Sequence, residues 1–109
     1  MIASNKAFFI IEEPESGLFP ESQQCITRFL GFIANCGFPM LINTHSSYVL
    51  GELNNLIYAG SFKGKKKNEA DQIIEPECQL LFENIQALFV EDGTASDCMD
   101  YDIQRIDNS

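Results

Sequence analysis

Residues 8–13 read FFIIEE, and residues 38–45 read FPMLINTH. Each is a short apolar run that ends abruptly in residues able to do chemistry. Runs of this length, rich in Phe and Ile and with little alternation, predict strands buried on both faces. The residues between them carry helical spacing. A strand that returns through a helix to a second strand in the same sheet has to run parallel to the first. No other feature of the chain limits its fold as tightly.

The first strand is expected over 7–12, AFFIIE, and residues 16–20, SGLFP, form a turn. Pro20 suits the first helical position, and Glu21 favours the positive end of the helix dipole. Cys25, Ile26, Phe29, Leu30, Ile33 and Cys36 then recur at helical spacing, with Phe32 widening the apolar face. This stripe reads as core packing, and Gly37 as the helix stop. The second strand is expected over 38–43, and Pro39 is tolerated near its start. Ser46 or Ser47 is a candidate cap for a short helix over 48–53, and NLIYA, residues 55–59, reads as a third strand. Beyond it, 63–71 reads as a polar loop, 76–84 as a short helix, and 86–91 as a strand. Asp92-Gly93 then signals a hairpin, with a partner strand near 97–103. The fold class expected is α/β: a parallel sheet with flanking helices and a C-terminal β-hairpin, in one domain over 1–109.

In such a sheet, functional groups collect beyond the carboxyl ends of the strands. Glu12 and Glu13 end the first strand, and Thr44 and His45 end the second. If the strands are neighbours, both pairs face one crevice. The two carboxylates then sit at the rim of the core, where leaving water costs them little. Successive side chains point apart in extended chain, so one carboxylate can serve a metal while the other reaches a water.

The formal charge of −9 argues against broad contact with a nucleic-acid backbone. The one basic cluster, Lys63-Gly64-Lys65-Lys66-Lys67, reads as a solvated loop. No apolar run approaches a membrane span, and residues 1–6 lack a signal-peptide pattern, so a cytoplasmic protein is expected. Cysteines stand at 25, 36, 78 and 98 with no C-x-x-C pair and a single histidine, which disfavours zinc. Cys25 and Cys36 on one helix would lie about 16 Å apart, too far for a disulfide. They read as buried thiols in a reducing compartment.

FFIIEEPESGLFPESQQ followed by LINTHSSYVL resembles the C-terminal half of an ABC-type ATPase core. The likeness is to the RecF-like and OLD-family AAA ATPases, in which four apolar residues, E-E-P-E, a hydrophobic-x-P and a downstream T-H-S recur. It covers residues 7–60 well and the remainder loosely. The resemblance implies a P-loop NTPase fold, with residues 8–12 as the Walker B strand and Glu12 as the acid beside magnesium. It implies Glu13 as the carboxylate that polarises the attacking water, and His45 as the switch histidine that senses the γ-phosphate. Glu15 falls at the start of the D-loop position, and Ser16, Gly17 and Leu18 continue it towards a partner subunit's nucleotide. Two acids and a histidine supply part of what phosphoryl transfer to water needs.

The chain departs from that pattern in one respect. It holds no G-x-x-x-x-G-K-[ST], and its one Gly-Lys, Gly64-Lys65, follows the histidine instead of preceding the acids. The expectation is therefore a fragment whose N-terminal ATPase lobe, carrying Walker A and the signature motif, is missing. It would pair as a homodimer through the D-loop face. ATP and magnesium belong to the intact enzyme, of DNA-repair or phage-defence type, and any nucleic-acid partner rests on family analogy alone. The alternative is a catalytically inactive α/β interaction or dimerisation module. Residues 88–97, LFVEDGTASD, match the strand-Glu-Gly start of a Toprim nuclease domain only poorly, because Asp92 separates Glu91 from Gly93.

Overall fold

A computed structural model describes residues 8–108. Residue 7 of the first expected strand and the N-terminal stretch 1–6 lie outside the described residues. The chain is mixed α/β. Strand β1 (Phe9–Glu12) leads into helix α1 (Pro20–Asn35), which leads into β2 (Met40–Asn43). The two strands pair in parallel, with Phe9 opposite Met40 and Glu12 opposite Asn43. The strand–helix–strand expectation holds, with Pro20 opening α1.

The third strand does not exist. Residues 55–59 belong to helix α2 (Ser47–Gly60), so the parallel sheet has two strands. NLIYA has strand-like composition, but Ser46 nucleates a helix ahead of it. Its hydroxyl accepts the Tyr48 and Val49 backbone N–H groups, at 3.1 and 3.2 Å. Val49, Leu56 and Ile57 then fall on one buried face, and a good cap with helical periodicity outweighs local β preference. The supposed polar loop is likewise helix α3 (Lys65–Ile73), fastened by Lys67, which reaches Asp71 at 3.0 Å and also Gln79. The short helix expected over 76–84 is two separate 3-10 turns, Pro76–Cys78 and Phe82–Asn84.

Hairpin β3 (Leu88–Glu91) and β4 (Thr94–Asp97) turns at Asp92 and Gly93, whose φ values are 50° and 79°. Two positive φ angles in a two-residue loop make the tight turn expected of Asp-Gly. The partner strand therefore begins at Thr94, three residues before the expected 97. A second small antiparallel pair follows, β5 (Met99–Asp100) with β6 (Arg105–Ile106).

The core forms around α2, not around the parallel sheet. Leu56, Ile57 and Ala59 of α2 pack with Ala70, Ile74, Cys78, Leu80, Met99 and Ile106. The Asn54 side chain attaches β6 to this core. Its Nδ2 donates to the Ile106 carbonyl at 2.9 Å, and its Oδ1 accepts the Ile106 N–H at 2.8 Å. Helix α1 buries Thr27, Leu30 and Gly31. The expected stripe is thus rotated: Cys25, Phe29, Phe32 and Cys36 are exposed, and Cys25 and Cys36 are not buried thiols. Gly31 explains the rotation. A Cβ there would stand 2.7 Å from the Cys78 carbonyl oxygen and 3.1 Å from Leu56 Cδ1, so only the small-residue face lets the backbones approach. Arg28, on α1, donates from Nε to the buried Glu52 of α2 at 2.7 Å.

Strand β1 is not buried as expected. Ile10 is 68% exposed and its neighbour Leu41 is 60% exposed, while Ile11 and Ile42 on the alternate face are half-buried. One face of the parallel pair thus meets solvent. Among the described residues, no helix is long and apolar enough to cross a membrane.

Candidate functional site

The parallel register carries Glu12 and Asn43 to the same level, so Glu13 and the 44–46 segment leave the sheet side by side. One more bond extends the ladder, from the Glu13 N–H to the Asn43 carbonyl at 2.7 Å. Glu13 then turns the chain with φ at 48°, in the left-handed region that a glutamate rarely occupies. Backbone held there is strained, and strain of this kind gathers at functional sites. The turn aims Glu13 across to the histidine: Glu13 Oε1 stands 3.8 Å from His45 Nε2, an ion pair when the ring is protonated. Both side chains are open to solvent, 54% and 81% exposed respectively. Glu13 and His45 thus come together from two different strand ends.

Glu12 is exposed at the end of β1. Among the described residues, no group of three or more His, Cys, Asp and Glu side chains is arranged to hold a metal ion. Glu12 by itself offers a single carboxylate, so a magnesium ion held there would need its remaining oxygens from water or a bound ligand. Ser16, Gly17 and Leu18 form overlapping exposed turns. The Ser16 N–H donates to the Glu13 carbonyl at 2.9 Å, and the Leu18 N–H to the Glu15 carbonyl at 3.0 Å. Gly17 takes φ 76° with open space where a Cβ would be, so it answers to backbone conformation and not to packing. Gly64 precedes α3 as its N-cap and is not part of a phosphate loop.

Sequence reasoning gave no structural role to Glu15, whose side chain bridges the two strand ends of the site. Its Oε1 accepts the Thr44 hydroxyl at 2.7 Å, and its Oε2 accepts the His45 backbone N–H at 3.0 Å. Partial burial pushes this carboxyl up. Hydrogen bonds from Thr44, from its own backbone N–H and from the His45 N–H, with the nearby imidazole, outweigh that and hold it below the ordinary 4.5. Thr44 Oγ1 in turn accepts the Ser46 N–H at 3.0 Å. The Ser46 hydroxyl, besides capping α2, donates to Gln23 Oε1, and Gln23 Nε2 donates to the Leu18 carbonyl at 3.0 Å. The path returns to the acidic loop and closes a ring. The available signals were the third carboxylate of E-E-P-E and the two hydroxyls that flank His45.

Compared with protein-family models, curated proteins and solved structures, the chain matches none of them. The geometry of the site therefore carries the functional reading. A cleft of about 390 Å³ does exist, lined by Asn54, Tyr58, Lys63, Phe82 and Arg105. It lies at the C-terminal end of α2, roughly 20 Å of helix away from His45.

Proposed function

We propose that this chain is the catalytic half of an ABC-type ATPase of the RecF-like and OLD-like kind, with a P-loop NTPase fold in the intact protein. The observation that supports this reading best is the meeting of Glu13 and His45 at 3.8 Å beyond the carboxyl ends of two parallel strands. Glu13 accepts a hydrogen bond from the attacking water and orients it. His45 donates towards the developing charge on the transferred phosphoryl group. Glu12 would hold magnesium, which when bound neutralises charge on the phosphate oxygens. Ser16, Gly17 and Leu18 present exposed backbone to the nucleotide of a partner subunit, giving a head-to-tail homodimer. The phosphate cradle comes from an N-terminal lobe of the intact protein. A cytoplasmic location follows, where ATP and reduced cysteines occur together.

Calorimetry with an ATP analogue and magnesium tests the half-site. This chain alone is expected to show no micromolar binding, because backbone N–H groups and a lysine of the missing cradle supply much of that affinity. Micromolar binding would overturn the half-site reading. In a protein that joins the phosphate-binding lobe to these residues, Glu13→Gln is expected to cut turnover by about 10²–10⁴-fold while nucleotide still binds. Unchanged turnover would remove Glu13 from the mechanism.

A second reading, an α/β interaction or dimerisation module without turnover, is favoured by one specific observation. Ile10 and Leu41 on the sheet, Phe8 just before it, and Phe19, Phe29 and Phe32 around α1, are all exposed. Apolar surface of that kind marks an interaction face.

A further inference from the structure

We propose that Glu15 is a positioning residue, whose carboxylate holds the His45 segment against the acidic loop so that the imidazole meets Glu13. The proposal rests on the ATPase reading for its purpose, but its geometry stands without nucleotide. His45 is more exposed than Glu13, and among the described residues the 3.8 Å approach to Glu13 is the ion-pair contact of its ring. What fixes its backbone is the bond from the His45 N–H to Glu15 Oε2, at 3.0 Å. The neighbouring Thr44 hydroxyl is fixed by the other oxygen of the same carboxylate.

Two donors converge on Glu15, and only an ionised carboxylate offers two acceptor oxygens to them. A glutamine can accept one bond, and its amide then faces the second donor. Charge-assisted bonds of this kind are short and roughly twice as strong as neutral ones. The two contacts reach from the turn after β1 to the segment after β2, which are 29 and 30 residues apart in the chain. The ring through Ser46, Gln23 and Leu18 closes the same junction from its other side. The nearby His45 favours the ionised form of Glu15. Glu15 bonds to Thr44 and to the His45 backbone, not to the imidazole or to Glu13. It acts through His45.

The test is NMR on the isotopically labelled full chain, without nucleotide. In the wild-type chain the His45 amide proton should lie downfield. It should move upfield as pH falls, with the same midpoint as the Glu15 side-chain carboxyl carbon. At neutral pH, Glu13→Gln should shift the Cε1–H signal of the His45 ring. In a Glu15→Gln background the same change should leave that signal where it is. Thr44→Val, which removes one of the two bonds, should weaken the effect by about half, with Leu56 and Ile57 methyl signals unmoved as the check on folding. If the His45 amide ignores the Glu15 titration, or the Glu13 effect persists without the Glu15 carboxylate, the positioning role is wrong. The wild-type titration decides this even if a variant fails to fold. Failure of a protein that joins the phosphate-binding lobe to these residues to hydrolyse ATP would sink the ATPase reading and leave this result standing.

Discussion

Glu13 pairs chemical usefulness with backbone strain. A side-chain-bearing residue at φ 48° costs on the order of 1 kcal/mol. Asparagine tolerates that region and adds no charge beside Glu12. Glu13→Asn is therefore expected to raise stability by up to about 1 kcal/mol while removing the carboxylate that meets His45. For a chain of this size that is a rise of about 4–8 °C in Tm per kcal/mol, read by thermal melting. A fall in Tm would mean that the Glu13 side chain contributes more than its backbone costs. Glu15 gives the second prediction at this scale. Its carboxyl is held below the usual 4.5 when folded, so its contribution to stability is fully present above the unfolded value. That contribution disappears as pH falls through the lower folded value. Denaturant midpoints for wild type and Glu15→Gln should accordingly differ at pH 7 and converge as pH falls below the ordinary glutamate value. A constant gap down to the most acidic pH that keeps the chain folded would rule out a linked ionisation at Glu15.

At the scale of elements, α2 is where the molecule is held together. Its end passes so close to the next segment that a Cβ on Gly60 would lie 2.2 Å from the Leu80 carbonyl oxygen. That contact is with backbone, which cannot swing aside as a side chain can. Gly60→Ala is expected to cost about 1–3 kcal/mol, as overpacking does, whereas Gly51→Ala, with open space at its Cβ, should gain a few tenths to about 1 kcal/mol from helix propensity. Urea titration of the two variants checks the contrast, and equal effects would mean that the Gly60 approach relaxes freely. The α1–α2 contact carries a different risk. Glu52 has a side chain only 2% exposed and takes its charge partner from Arg28 across the interface. Arg28→Met should be destabilising by about 3 kcal/mol, because an unpaired buried carboxylate remains. Replacing both Arg28 and Glu52 by apolar residues should recover most of that loss.

The whole molecule has a well-packed side around α2 and an open side at the parallel sheet. Parallel pairs are ordinarily covered on both faces, yet Ile10 and Leu41 stand beside each other in solvent. Hairpin β3–β4 is also exposed along both strands, and a two-stranded hairpin is marginal by itself. Such a molecule is expected to associate at micromolar to millimolar concentration. Ile10→Lys with Leu41→Lys should shift it towards monomer in sedimentation velocity, with little change in melting temperature, since neither side chain supports the core. Association that survives both substitutions would place the contact elsewhere, with the face of Phe29 and Phe32 the next to alter.

Local signals in the sequence determined the strand–helix–strand unit, Pro20 at the start of α1, a serine cap at 46 or 47 and the Asp92-Gly93 turn. Each rests on a steric or hydrogen-bonding rule acting over two to four residues. The placement of Glu12, Glu13 and His45 at strand ends was legible for the same reason, because parallel pairing of two short apolar runs fixes which ends coincide. Only the tertiary structure decided the rest. NLIYA became helix because a cap upstream and a core around Leu56 overrode its strand preference. The buried side of α1 was chosen by Gly31, whose missing Cβ admits Leu56 and the Cys78 carbonyl, and not by the larger residues of the apolar stripe. Glu15 gained its role because the register of two strands brought Thr44 and His45 within reach of its two oxygens. Such a bond between loops about 30 residues apart depends on where the sheet sets them down, and no local rule in the sequence contains that distance.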